Sequence, residues 1–119
     1  MRVGVPKETM DLEYRVAVTP AICDLLTKQG HLVLVEAGAG HGAGYADAHY
    51  REAGATVVPA AADAWGADLV VKVKQPLPPE DPYLRAGLLL YCYLHLAAEP
   101  ELTKILVTRG VSAVAAETI

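Results

Sequence analysis

Apolar positions along this chain follow two alternating rhythms. Short continuous runs at residues 2–5, 32–35, 55–58, 69–74, 88–94 and 111–115 are rich in valine and leucine, with the length and propensity of buried strands. Between them, Ile22, Leu25 and Leu26, and later Leu102, Ile105 and Leu106, recur at helical spacing. Thr19-Pro20 predicts the start of the first helix, threonine as N-cap and proline at the first helical position. Lys28 suits its last turn and Gly30 its end. A short helix is predicted over 47–53, closed by Gly54, and a helical turn over 60–65. Pro100-Glu101 opens the last helix and Gly110 ends it. Pro76, Pro78, Pro79 and Pro82 predict an extended surface connection.

Strands separated by one helix each imply right-handed crossovers. The predicted fold is therefore α/β and three-layered, a mainly parallel sheet with helices on both faces, flavodoxin-like or Rossmann-like. The 119 residues predict a single domain over 1–119, with one core but small for a complete α/β enzyme. A chain that stops just after its last strand suggests part of something larger.

In open parallel sheets ligands sit outside the carboxyl ends of the strands. Two predicted strands end in groups that can hold or move a proton. Leu69 to Lys74 carries Lys72 and Lys74, and Leu88 to His95 ends in a histidine. His95 titrates near neutrality, which suits proton transfer to a substrate oxygen or nitrogen; the competing reading is a core histidine bonded to a carbonyl. Lys72 and Lys74 are two apart, so in a regular strand they share a side. Buried ammonium groups there require an anion or a water-filled crevice, unless both snorkel to solvent. Lys74, at the very end, is the better candidate to hold a carboxylate or polarise a carbonyl. Arg15 lies in the first connection, where its fork matches a carboxylate; its competing reading is a surface ion pair with Glu8 or Glu13.

Charge and composition narrow the classes further. A net charge of -4 without any Lys/Arg cluster argues against nucleic acid and anionic membranes. No apolar run approaches the ~20 residues of a membrane span, and the N-terminus lacks a signal-like stretch, so a cytoplasmic protein is expected. Cys23 and Cys92 lack metal-ligand spacing and read as reduced thiols. His31, His41 and His49 show no i, i+4 pairing, so no metal site is expected. Gly38-Ala39-Gly40-His41-Gly42-Ala43-Gly44 follows a strand, as a dinucleotide fingerprint must. The next strand, however, runs into Pro59 where an acidic ribose ligand belongs. The loop reads as a turn for close packing, and no cofactor-binding residue is expected in this chain.

The segments Val3-Gly4-Val5-Pro6-Lys7-Glu8, Arg15-Val16-Ala17-Val18-Thr19-Pro20, Glu36-Ala37-Gly38-Ala39-Gly40, Val71-Lys72-Val73-Lys74 and Tyr93-Leu94-His95-Leu96-Ala97-Ala98, with Gly30-His31, Ala53-Gly54-Ala55 and Glu117-Thr118, form an ordered set. In that order and spacing the chain resembles the amino-terminal part of the alanine dehydrogenase/pyridine nucleotide transhydrogenase family, over essentially its whole length. The histidine-bearing segment favours the dehydrogenase branch. The resemblance implies reversible oxidative deamination of L-alanine to pyruvate and ammonia with NAD. It implies that Arg15 and Lys74 hold the substrate, that Lys74 stabilises developing charge and that His95 is the acid/base. It also implies a homo-oligomer, a hexamer in the family, and a nucleotide-binding domain with a second catalytic acid outside this chain. Gln75, Cys92 and Ala116 depart from the family's more usual glutamate, threonine and tyrosine. The alternatives are a transhydrogenase subunit's first domain, or a non-catalytic remnant.

Overall fold

The computed structural model describes residues 1–94 and 99–116. Six strands form one sheet: β1 (Arg2–Val5), β2 (Leu32–Glu36), β3 (Thr56–Val58), β4 (Leu69–Lys74), β5 (Leu89–Tyr93) and β6 (Ser112–Ala115). Their order is β3-β2-β1-β4-β5-β6, and every pairing is parallel. This is the doubly wound order in which the chain reverses direction between β1 and β4. The α/β expectation is met, with the Rossmann rather than the flavodoxin order.

The helices are α1 (Pro20–Lys28), α2 (Asp47–Glu52), α3 (Ala61–Trp65) and α4 (Pro100–Arg109). Thr19 caps α1 as its sequence predicts, its Oγ1 accepting from the Ile22 N–H at 3.3 Å, with Pro20 at the first helical position. α1 and α2 pack on one face of the sheet, where Val5, Val33 and Val35 meet Cys23 and Tyr50. The Tyr50 hydroxyl donates to the Val18 carbonyl at 2.8 Å, and burial pushes its pKa up to about 12. α3 and α4 pack on the other face around Trp65, Leu90, Cys92, Leu102 and Leu106. Arg85 donates to the carbonyls of Trp65 and Ala67 and so ties off the end of α3.

The prolines after β4 do not make the predicted extended connection. Pro78–Tyr83 is a 3-10 helix with proline at its start, and Glu80 within it is buried. Tyr83 from this turn stacks on Trp65 with ring centroids 5.6 Å apart. On the face that α1 and α2 share, the helices lie chiefly over β2 and β3. Beyond α1, Leu69, Leu89 and Val114 line an open apolar hollow of about 420 Å³ bordered by Ile22 and Leu26.

Gly4 shows how closely α3 approaches. A Cβ there would stand 1.9 Å from the Ala64 carbonyl oxygen, a backbone atom with no freedom to retreat. Gly4→Ala is therefore expected to cost about 3 kcal/mol, the upper end for overpacking, because β1 or α3 must shift bodily. Urea unfolding checks this; a midpoint within error of the parent's would refute the close approach.

Candidate active site

The site is built where β1 and β4 part. Their pairing runs only through Val3↔Leu69 and Gly4↔Val70. β1 then ends at Val5, and Pro6 follows. Backbone donors farther along β4 face no strand on that side and must find another acceptor. Glu8 supplies it. Its Oε2 accepts the Val73 N–H at 3.0 Å, and its Oε1 accepts the Lys74 N–H at 3.1 Å. Two successive N–H groups directed to one carboxylate mark an irregular strand. The β4–β5 register accordingly slips between Val71↔Tyr91 and Lys74↔Tyr93.

That slip alters the two lysines. In an unbroken strand they would share a side, but the alternation does not run through the irregularity. Lys72 is buried, its Nζ 3.1 Å from Glu8 Oε1 and 3.4 Å from Glu80 Oε2. It does not snorkel to solvent; the anion that its burial requires is supplied from within the fold by these two carboxylates. Burial raises the Glu80 carboxyl above its ordinary pKa, against the opposing pull of Lys72 and the Leu77 N–H. Lys74 is only part-buried and stands in register with Tyr93.

Arg15 follows its competing reading in part. It pairs with Glu13, not Glu8, and does so through two parallel bonds, Nε to Oε2 at 3.0 Å and Nη2 to Oε1 at 2.7 Å. The Arg15 N–H also donates to Glu13 Oε2 at 2.9 Å. The guanidinium's hydrogen bonds above all, aided by the charges of Arg15 and Lys74, hold the Glu13 carboxyl down at about 2. The arginine itself remains exposed.

Arg15 opens onto a cavity of about 450 Å³ whose lining includes Thr19, Tyr45, Lys72, Tyr91 and Tyr93. A second hollow of about 260 Å³ lies on its other side, against Lys7, Glu8, Glu13 and the glycine loop. The cavities occupy the carboxyl edge of the sheet at the point where strand order reverses. His95 lies outside the described residues, as do Leu96, Ala97 and Ala98. The structure thus brings Arg15, Glu13, Lys72 and the ends of β4 and β5 to one edge.

Sequence reasoning missed Glu8 and Glu80. A signal existed: a lysine in an apolar strand requires a carboxylate, and the chain offers few near that strand's end. The glycine loop behaves as its sequence suggests. A Cβ on Gly42 would stand 2.9 Å from the Tyr14 carbonyl oxygen and 3.0 Å from its Cα, so the missing side chain serves packing. Among the described residues no three His, Cys, Asp or Glu side chains gather to hold a metal ion, and no helix is long and apolar enough to cross a membrane.

A doubly wound sheet with a cavity of mixed polar and apolar lining at its reversal point is the architecture in which α/β domains hold small ligands. A family profile described as "Alanine dehydrogenase/PNT, N-terminal domain" matches residues 4–119, and the chain belongs to that family. It is 50% identical over all 119 residues to an alanine dehydrogenase of Bacillus subtilis and 45% identical to alanine dehydrogenase 2 of Staphylococcus aureus. In each case it spans 32% of the relative's length. A solved L-alanine dehydrogenase superposes on 97% of the chain, and the chain on 32% of it, with TM-score 0.95 and 50% identity. A transhydrogenase from Sinorhizobium meliloti does so with TM-score 0.90 and 33% identity, over 97% of this chain and 34% of that one.

Two outcomes test this geometry. The Glu13 carboxyl is expected to titrate near 2 rather than 4.5. Because its folded pKa is depressed, the stability it contributes is present above the ordinary value and lost as pH falls through about 2. Carboxyl-detected NMR checks it; Arg15→Ala should return the midpoint toward 4.5, and a parent midpoint already there contradicts the clasp. Lys72→Met should cost about 3–5 kcal/mol at pH 7 by stranding two buried carboxylates. The deficit should shrink as pH falls, because burial already raises the Glu80 carboxyl and without Lys72 it takes up a proton more readily still. A pH-independent deficit in chemical denaturation would contradict the ion cluster.

Proposed function

We propose that this chain is the substrate-holding domain of an NAD-dependent alanine dehydrogenase, which interconverts L-alanine with pyruvate and ammonia. The observation that carries the reading is the meeting of Arg15 with the ends of β4 and β5 around one open cavity at the sheet's reversal point. Its volume of about 450 Å³ lies in the range of small-molecule sites. Membership of the family supports the same reading.

In this reading Arg15 takes the substrate carboxylate, using donors that Glu13 leaves unengaged. Lys74 shares that carboxylate and stabilises negative charge growing on the substrate oxygen. His95 moves a proton to and from the oxygen and nitrogen on the reacting carbon. The partners are L-alanine, pyruvate and further copies of the chain, in the cytoplasm.

The residues present do not fit NAD. The glycine loop's space at Gly42 is filled by the Tyr14 backbone, the helix after it runs only Asp47–Glu52, and β3 ends at Val58 without an acid. A nucleotide-binding domain elsewhere in a longer polypeptide holds the cofactor in this proposal, and the 119 residues alone turn over negligible alanine. The Sinorhizobium meliloti structure supports one rival, a transhydrogenase domain without substrate acid/base chemistry.

Alanine-dependent NADH formation by the full gene product decides between them. His95→Gln should lower kcat by about 10²–10⁴-fold. Arg15→Ala should raise the KM for pyruvate by roughly 10–100-fold, the worth of hydrogen bonds to a charged group. Unchanged alanine turnover in His95→Gln would overturn the reading. Hydride exchange between nucleotides without alanine turnover would establish the rival, and NADH formation by the isolated 119 residues would refute its incompleteness.

A further inference from the structure

Glu8 stands apart from the cavity's exposed donors. It is buried, and its carboxylate closes the end of β4 from across the gap between β1 and β4. Three donors converge on its two oxygens: the N–H groups of Val73 and Lys74 and the ammonium of Lys72. The Lys74 N–H is thereby fixed at 3.1 Å from Glu8, where the β4–β5 register has slipped and no strand lies on the other side. At a slipped strand end, backbone orientation decides where the next side chain points. Lys72 in turn is held by Glu80 at 3.4 Å, so the carboxylate of Glu8 cannot swing away without stranding buried charge.

We propose that Glu8 is a positioning residue: by clamping the backbone of Val73 and Lys74 it sets where the Lys74 ammonium stands at the carboxyl edge of the sheet, next to the cavity that Val73 and Tyr93 line. The proposal rests on the reading of Lys74 given under Proposed function. Glu8 itself touches no substrate. Its effect on turnover passes through Lys74 alone, and this separates it from a residue that merely stabilises the fold.

The test is a double-mutant cycle in the full gene product, with kcat/KM for pyruvate and the melting temperature measured on each protein. Glu8→Gln keeps the shape but weakens the clamp, and displacement of a catalytic group by about 1 Å costs on the order of 100-fold. We expect a loss of that order in kcat/KM for Glu8→Gln and no further loss when it is added to Lys74→Ala. The fall in melting temperature should be the same in both backgrounds. Amide exchange at Val73 and Lys74 should quicken in Glu8→Gln by more than tenfold while Gly4 keeps its protection. If Glu8→Gln does not fold, Glu8→Gln with Lys72→Met and Glu80→Gln removes all three buried charges together and serves in its place.

The outcomes separate the two claims. If the parent protein does not turn over alanine, or Lys74→Ala leaves turnover unchanged, the functional reading falls and the positioning role with it. If Lys74→Ala impairs turnover while the Glu8 variant leaves it intact, or if their kinetic losses multiply, the positioning role alone falls.

Discussion

The carboxylate of Glu8 spans a gap that the sheet cannot close by its own hydrogen bonds. β1 and β4 are neighbours for only two residue pairs before Pro6 leads the chain off one edge. From there to Lys74 the end of β4 is held on that side by a side chain instead of a strand. The acceptor is charged, so its bonds are stronger than those of an ordinary ladder carbonyl. It is also buried, so it needs a cation, and Lys72 provides one. Glu80 then supplies a second carboxylate to the same ammonium. Three segments distant in sequence thus depend on one ion cluster, and the packing of Trp65 against Tyr83 lies on the same side as Glu80's turn.

This cluster explains why polar chemistry can gather at an otherwise apolar sheet. The connections after β1 and after β4 leave toward opposite faces, which opens a crevice at the reversal of strand order. Such a crevice would expose unpaired backbone donors. Glu8 satisfies those of β4, and Arg15 and the ends of β4 and β5 line the cavity. The charges beneath the cavity are thus held in internal ion pairs, whereas Arg15 on the rim stays exposed.

Much of the fold was legible because it rests on local signals. The strands announce themselves by valine and leucine runs, and α1 by Thr19-Pro20 and Gly30. The proline-rich stretch misled because Pro78 and Pro79 look like breakers, yet proline at a helix start is favourable. What turned that segment inward is the pairing of Glu80 with Lys72, a contact between residues that no local pattern links. The same holds for the site. Arg15 and Lys74 stood out by position at loop and strand end, but the alternation that placed Lys72 beside Lys74 failed at the register slip. Nor does any periodicity reveal that Glu13 rather than Glu8 would engage Arg15, since both lie on the same connection.

The clasp between Glu13 and Arg15 has a consequence for selectivity. Nε and Nη2 are already occupied by a carboxylate tethered two residues away. A tethered competitor acts at an effective concentration in the range of about 1 mM or more, whatever the solution contains. An anion approaching through Nε and Nη2 must therefore exchange with Glu13, whereas one approaching through the remaining N–H donors need not. Monovalent ions with one point of attachment lose this contest, because each offers a single contact against two. A ligand that brings a second anchor elsewhere in the cavity gains what they lack. That edge of the arginine is thus guarded by a threshold that operates before any shape is tested, and entry is steered to the donors Glu13 leaves unengaged.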